Sequence, residues 1–178
     1  MRLEKPRLEP LPESEWPPEV FQPEGKTPPL NIFKTLARHP DLMRRFQVFG
    51  AHVLGKSTLP ARERELVILR TGFLCNSAYE FHQHTRIGLA AGLTRDEIAK
   101  LQRPASEWTG PDAALIRATD ELHGDQMISD ATWKELSEKW SEKQLMDLVF
   151  AIGQYTLVSM ALNTFGVQIE DGSKGFAK

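Results

Sequence analysis

The chain has 178 residues with a formal net charge of −2 at pH 7, and 40% of its residues are hydrophobic and 26% charged. These values are typical of a soluble globular protein of one domain. Without a basic excess, neither nucleic acid nor an anionic membrane surface is an expected partner. The single cysteine, Cys75, excludes an intrachain disulfide and a dithiol redox centre. The N-terminus has no apolar signal segment, and no apolar run approaches the roughly 20 residues that span a bilayer, so we expect a cytoplasmic protein.

Residues 1–29 are rich in proline and charge, which makes a helix there very unlikely. We interpret them as an extended arm that precedes a helical domain over residues 30–178. Trp16, Val20 and Phe21 are candidates to anchor this arm to the body or to a neighbouring subunit. The alternative interpretation is a disordered tail.

From residue 30 onward, the apolar residues recur at helical spacing. Prolines in first turns, capping boxes and glycines after the last turns supply the boundaries. The predicted helices cover residues 30–37, 41–54, 60–74, 76–91, 94–101, 111–124, 130–140 and 142–165. The second of these is expected to turn Leu42, Phe46, Phe49 and Val53 inward. Because no convincing strand is found, the predicted fold class is all-α, a helical bundle.

The last predicted helix begins at a capping box formed by Ser141 and Gln144 and ends at Gly166. It is apolar on more than one face, whereas a surface helix usually has one apolar stripe. The helix is therefore either central to the bundle or shared with another subunit. The second option predicts a homo-oligomer, which could be a dimer, a trimer or a hexamer.

Glu80 and His84 lie one helical turn apart in the segment that follows Cys75. Residues four apart lie on the same side of a helix and can touch. The other members of their stripe are small or apolar, so the stripe should face the core or a pocket. A carboxylate and an imidazole are costly there unless they pair or take part in chemistry.

The stretch LPARERELVILRTGFLCNSAYEFHQHTRIGLAAGLTRDEI, residues 59–98, resembles the carboxymuconolactone decarboxylase family, whose other branch is the alkylhydroperoxidase AhpD. The resemblance extends over roughly residues 36–101 and implies an AhpD-like, oligomeric helical bundle. The peroxidase branch carries a glutamate, a Cys-x-x-Cys pair and a histidine four residues after the second cysteine. In this chain those positions hold Glu65, Ser77, Glu80 and His84.

Both redox cysteines of the peroxidase branch are thus replaced, and a dithiol is needed to reduce a peroxide and be recycled through a disulfide. The Tyr79–Glu80 pair is instead what the decarboxylase-like branch shows. The resemblance therefore implies a lyase or proton-transfer enzyme that acts on a small carboxylated substrate, such as a lactone from aromatic catabolism. A peroxidase or antioxidant role is the alternative, with Cys75 as its possible redox residue.

In the decarboxylase interpretation, His84 is the acid/base, Glu80 and Glu65 tune it, and no metal or organic cofactor is demanded. An arginine is expected to hold the acid group of the substrate. The candidate substrate-binding residues are Arg70, Arg86, Ser77 and Tyr79. On the long last helix, Gln154, Tyr155 and Asn163 could line the same pocket.

Simpler interpretations stay open from the residues alone. Glu80 and His84 could be a buried polar pair that fixes helix packing. Glu65 lies in a run of charged residues, and such runs usually form a solvent-exposed face. His82 lies on the opposite side of its helix from Glu80 and should be exposed, which leaves too few ligands for a metal site. The chain could also be a binding or assembly protein that keeps the fold without the chemistry.

Overall fold

The computed structural model describes residues 2–18, 29–170 and 176, and these residues form eight α-helices, two short 3-10 turns and no β-strand. The predicted all-α class is confirmed. The helices are α1 (Asn31–Leu36), α2 (Pro40–Gly55), α3 (Ala61–Leu74), α4 (Ala78–Ala90), α5 (Arg95–Lys100), α6 (Gly110–Asp125), α7 (Asp130–Ser137) and α8 (Glu142–Phe165).

Most helix boundaries follow the capping chemistry of the sequence. The capping boxes at Thr94 and Ser141 both form, and Gly166 closes α8 in the left-handed conformation with φ 71°. Helix α6 ends at Asp125, within one residue of the predicted end, and is closed by a left-handed Gln126. The predicted end of α7 was wrong, because the helix stops at Ser137, before residue 140.

Helix α3 is the centre of the bundle. Its residues from Glu65 to Gly72 are all buried, so the helix is enclosed on every side rather than on one stripe. It packs against α4, α6 and α8. The main core therefore surrounds α3, and the two charged residues of this stretch, Glu65 and Arg70, are buried.

Helix α8 is both a core helix and a surface helix. By length and composition it could cross a membrane, contrary to the sequence-based expectation, but only half of its most apolar stretch is buried in the bundle. One side, including Leu148 and Ile152, is buried in the main core. The opposite side exposes Met146, Phe150 and Leu157.

The inward face predicted for α2 was partly wrong. Val53 is buried as expected and Phe46 is half-buried, but Leu42 and Phe49 are exposed, and Met43 is buried instead. Apolar residues occur nearly all round this helix, so their periodicity does not single out one face.

The described part of the N-terminal arm, residues 2–18, lies on the bundle. Trp16 is buried against Ala37 and Met43, at the connection between α1 and α2. Its indole Nε1 donates a 3.0 Å hydrogen bond to the Leu11 carbonyl. The other two predicted anchors, Val20 and Phe21, lie outside the described residues.

A tight turn joins α3 to α4 and sets the register between them. Asn76 adopts the left-handed conformation with φ 50°, which asparagine tolerates better than most residues. The Ser77 N–H then donates to the Gly72 carbonyl at 2.8 Å.

Farther along α4, Gly88 lets α3 approach closely, since a Cβ there would lie 3.1 Å from Leu69 Cδ1 and 3.7 Å from Glu65 Cβ.

Candidate functional site

The structure brings Glu65, Glu80 and His84 into one hydrogen-bonded cluster. His84 Nδ1 lies 2.6 Å from Glu65 Oε2, across the α3–α4 interface. On the other side of the ring, His84 Nε2 lies 2.9 Å from Glu80 Oε1, one turn earlier on α4. The imidazole is thus held between two carboxylates.

All three side chains of this cluster are buried. Burial opposes a charged imidazole, but attraction to Glu80 and hydrogen bonds to both carboxylates outweigh it and raise the pKa of His84 to about 9. His84 is therefore an imidazolium at neutral pH and donates from both nitrogens. Arg64 Nε, 3.3 Å from Glu65 Oε1, supplies a second cation, so two carboxylates are balanced by two positive charges.

Because both His84 nitrogens donate to carboxylates, neither offers a lone pair to a metal ion. Within the described part of the chain, no group of three or more histidine, cysteine, aspartate or glutamate side chains is arranged to hold a metal.

A cavity of about 650 Å³ reaches this cluster from the surface. Helices α1, α2, α4 and α8 surround it, and most of its wall is apolar. Its apolar walls include Ile32, Phe33, Phe46, Leu54, Ile87 and Val158. Glu80 and His84 line the cavity, whereas Glu65 lies behind them. Glu80 is therefore the acidic group that a bound molecule would meet.

Two polar residues of α8, Gln154 and Tyr155, face the same cavity. The Tyr155 ring stands edge-to-face with the His84 ring, with 4.7 Å between ring centroids. Burial, together with the charges of Glu80 and Glu65, raises the pKa of Tyr155 well above its ordinary value. Its hydroxyl therefore stays protonated and can donate a hydrogen bond into the cavity.

Two arginines, Arg44 and Arg86, border the cavity where it opens to solvent. Arg44 pairs with Asp41, with 3.2 Å between Nη2 and Oδ1. Arg86 is exposed and forms no ion pair with the described residues, so it is the cation best placed to receive an anionic group.

Arg70, the other predicted substrate-binding arginine, does not line the cavity, and that prediction needs correction. Its guanidinium forms two 2.7 Å hydrogen bonds to the Asp120 carboxylate. It also donates to the main-chain carbonyls of Leu101 and Arg103. These contacts occupy four of its five N–H donors and tie α3 to α6 and to the loop after α5.

The predicted substrate contacts Ser77 and Tyr79 differ in position. Ser77 is fully buried in the turn before α4 and is not part of the cavity wall. Tyr79 does line the cavity, but its hydroxyl donates to Glu170 Oε1 at 2.6 Å. Glu170 also accepts from Asn31 N at 2.7 Å, so this tyrosine links α4 to α1 through the C-terminal segment.

Cys75 lies outside the cavity, at the end of α3. Its Sγ is 3.8 Å from His123 Nδ1, and burial raises the pKa of the thiol. The thiol is thus protonated at neutral pH and poorly nucleophilic.

Asn163, which the sequence placed near the pocket, instead donates to the Cys75 carbonyl at 2.9 Å. His82, expected to be exposed, is half-buried.

Sequence reasoning missed the half of the cavity formed by α1 and α2, including Phe33, Arg44 and Phe46. These residues look like ordinary amphipathic helix positions, and nothing in their spacing relates them to Glu80. Only the packing of α2 against α1 and α8 makes them part of one site.

Comparisons with known proteins agree with this fold. Residues 40–121 match the carboxymuconolactone decarboxylase family. No functionally curated protein sequence matches the chain. A solved structure from Agrobacterium tumefaciens, of a protein of unknown function named as a candidate antioxidant defence protein AhpD, is 18% identical with a TM-score of 0.67, covering 80% of this chain and 96% of its own.

Two further structures are similar over most of their length. An uncharacterized peroxidase-related protein from Silicibacter sp. TM1040 is 13% identical with a TM-score of 0.71, covering 83% of this chain and 80% of its own. The debrominase Bmp8, solved in complex with 2,3,4-tribromopyrrole, is 15% identical with a TM-score of 0.70, covering 95% and 94%. At these identities the likeness shows the fold alone.

The bundle is therefore an AhpD-like fold. Residues 40–121, the part of the chain that matches the carboxymuconolactone decarboxylase family, contain Glu65, Glu80 and His84.

Proposed function

We propose that this chain is a cofactor-free enzyme that decarboxylates, or moves a proton on, a small carboxylated substrate such as a lactone of aromatic catabolism. The observation that carries the proposal is the Glu65–His84–Glu80 cluster, buried at the inner end of a largely apolar cavity. A buried, charged proton donor at the wall of a cavity is unusual in a purely structural role.

Glu80 is the residue that meets the substrate, and His84 and Glu65 act through it. Loss of CO2 breaks a carbon–carbon bond and leaves its electron pair on the substrate, where a proton must be added. The His84 imidazolium passes its Nε2 proton to Glu80, and Glu80 delivers it to the carbon. Glu65 keeps the hydrogen bond from Nδ1 and holds the neutral ring in place.

The walls of the cavity fit this chemistry. The apolar surface suits a small ring, and the complex of Bmp8 with a tribromopyrrole indicates the size of ligand that this fold can enclose. Tyr155 and Gln154 can donate to an oxygen that gains charge as CO2 leaves. At the opening, Arg86 would bind a carboxylate that stays on the product. Binding the carboxylate that leaves as CO2 would instead stabilise the substrate ground state.

A peroxidase role is less well supported by the geometry. It would rest on Cys75, which is outside the cavity, has a raised pKa and has no second cysteine in the chain. A purely binding or assembly role would not require a charged cluster at the end of the cavity.

We propose the cytoplasm as the compartment, since the lone cysteine and the helical-bundle fold suit it.

The test is turnover of carboxymuconolactone by the purified protein, followed by ultraviolet absorbance and CO2 release. Glu80→Gln should lower kcat by at least about 100-fold, the usual range for loss of an acid/base group. Gln can still accept from His84, so this variant keeps the cluster packed. His84→Gln should be equally inactive, and circular dichroism would show whether its bundle remains folded.

The matched control is Glu138→Gln, an exposed position outside the cavity wall that should keep full activity. If wild-type protein turns over the lactone and Glu80→Gln does so equally well, Glu80 has no chemical role. If wild-type protein releases no CO2 from the lactone, this substrate is wrong.

A further inference from the structure

The chemistry of the cavity changes from its mouth to its inner end. Arg44 and Arg86 are exposed at the mouth, a largely apolar stretch follows, and Glu80 and His84 are buried at the inner end. Among the described residues that line the cavity, Glu80 alone is acidic. A molecule that fills the cavity therefore needs an apolar body with an anionic group at its outer end.

Two buried polar side chains of the cavity wall lack hydrogen-bond partners. Gln154 and Tyr155 are each only 6% exposed, and neither forms a hydrogen bond to a described residue. By contrast, the other tyrosine and the other polar amide of the wall, Tyr79 and Gln83, donate to Glu170 at 2.6 and 2.5 Å. Because buried polar groups are ordinarily paired, Gln154 and Tyr155 mark the place of an oxygen atom of the ligand.

The proposed loss of CO2 calls for an oxygen at this place, next to the buried cluster. The carbon–carbon bond to the carboxyl group breaks, and its electron pair moves onto a neighbouring carbonyl group to give an enolate. The enolate oxygen can accept hydrogen bonds from Tyr155 and Gln154. The proton from Glu80 then adds to the carbon, and the electron pair returns from the oxygen to form the new carbon–hydrogen bond. The inner end of the substrate is therefore a β-keto acid.

Helix α4 sets the distance between the two ends of the ligand. Glu80 and Arg86 are six residues apart, which is about 9 Å along the helix axis at 1.5 Å per residue. With carbon–carbon bonds of about 1.5 Å, a zigzag chain of about eight bonds spans this distance. A carboxymuconolactone carries its carboxyl groups around one small ring, so it is too short to reach both residues.

We propose that the substrate of this chain is an elongated β-keto diacid. One carboxyl group leaves beside Glu80, and the keto oxygen accepts from Tyr155 and Gln154. The second carboxylate binds Arg86, about eight carbon–carbon bonds farther out, and the chain between them lies against the apolar walls. The inference rests on the proposed function for its reaction and on the cavity for its ligand class, so binding and turnover test the two separately.

Isothermal titration calorimetry with 8-oxononanoate tests the ligand class without any reaction. This keto acid is the product that 3-oxodecanedioate gives when it loses CO2. It should bind at least about 20-fold more tightly than 4-oxopentanoate, which has the same end groups and four fewer methylenes. It should also bind about fivefold more tightly than nonanoate, which has the same length but no keto oxygen.

Two pairs of substitutions test the two ends of the ligand. Tyr155→Phe should remove most of the preference for 8-oxononanoate over nonanoate. Its control, Tyr79→Phe, should keep the preference, because the Tyr79 hydroxyl is already bonded to Glu170. Arg86→Gln should weaken the binding of both acids about threefold, as for an exposed ion pair. Its control is Arg95→Gln, exposed on α5 and outside the cavity wall, which should bind both acids as wild type does.

Turnover separates this inference from the proposed reaction. CO2 release from 3-oxodecanedioate, measured above the spontaneous rate, should show a KM at least about tenfold lower than that of carboxymuconolactone, because the longer chain adds apolar contacts. Turnover of the lactone by a protein that does not bind 8-oxononanoate would overturn the inference and leave the proposed function standing. Length-dependent binding without CO2 release from either compound would support the ligand class and overturn the proposed reaction.

Three binding results would also overturn the inference. The first is equal affinity for 8-oxononanoate and 4-oxopentanoate, which would mean that the apolar stretch is not filled. The second is equal affinity for 8-oxononanoate and nonanoate, which would mean that the wall does not bind a keto oxygen. The third is an equal loss of affinity in Arg86→Gln and Arg95→Gln, which would mean that only the net charge of the protein matters.

Discussion

At the scale of single residues, the central fact is that His84 is charged and donates to two carboxylates. The sequence predicted the Glu80–His84 contact, because a four-residue spacing on a helix is a local geometry. It could not predict the Glu65 contact from spacing, since that contact crosses between two helices. Only the family resemblance indicated Glu65, and the charge run around it pointed to solvent.

The pKa of His84 makes stability depend on pH. Its folded-state pKa of about 9 lies above the 6.5 of an unperturbed histidine, so the folded protein binds more protons between these values. The cluster's contribution is therefore fully present below pH 6.5 and is lost as pH rises through 9. We expect the free energy of unfolding to fall by about 3 kcal/mol over this window. Urea denaturation at pH 6, 7.5 and 9.5 measures it.

The control for this pH dependence is His84→Gln, whose side chain is similar in size and does not titrate. The variant should be less stable than wild type at pH 6, because two buried carboxylates lose a shared cation. Its stability should also lack the wild-type fall between pH 6.5 and 9. An equal fall in both proteins would mean that another group is responsible.

At the scale of helices, the sequence predicted most boundaries because they are fixed by local chemistry, as at the Ser141 capping box and Gly166. It failed for the buried face of α2. Leu42 and Met43 are both apolar, and a choice between them depends on which neighbour the helix meets. Tertiary packing therefore decided what periodicity could not.

Gly88 shows how the contact between α3 and α4 depends on one small residue. A side chain there would press on Leu69 and Leu93, which lie 3.1 and 3.0 Å from its Cβ position. Gly88→Leu should lower the free energy of unfolding by about 1–3 kcal/mol or more, as overpacked cores do. It should also lower activity, because α4 must move away from Glu65. Thermal denaturation and lactone turnover measure the two effects.

Gly124→Leu is the matched control, since a Cβ at Gly124 in α6 meets nothing within 4 Å. It should leave stability unchanged or slightly raised, because leucine has the higher helix propensity. If both variants were equally stable, close approach at Gly88 would not hold α3 and α4 in register.

At the scale of the whole molecule, the cavity exists only because α1, α2, α4 and α8 meet around it. No local pattern encodes that meeting, which is why the sequence identified the cluster but not its surroundings. Helix α1 has six residues, too few to be stable alone. Contacts from both ends of the chain hold it. Glu170, in the C-terminal segment, accepts a hydrogen bond from Asn31 N, and Trp16, in the N-terminal arm, packs beside Ala37.

Trp16 should therefore contribute to the cavity although it lies outside it. Trp16→Ala is expected to lower the free energy of unfolding by about 3 kcal/mol, because a buried indole is lost against Met43 and Phe33, and Phe33 lines the cavity. Hydrogen exchange of α1 amides should become faster, since the helix loses its support.

Trp133→Ala, at a half-exposed site on α7, should change stability by less than about 1 kcal/mol and leave α1 exchange unchanged. Equal effects of the two substitutions would mean that the arm rests on the bundle without stabilising it, and that α1 is held from the C-terminal side alone.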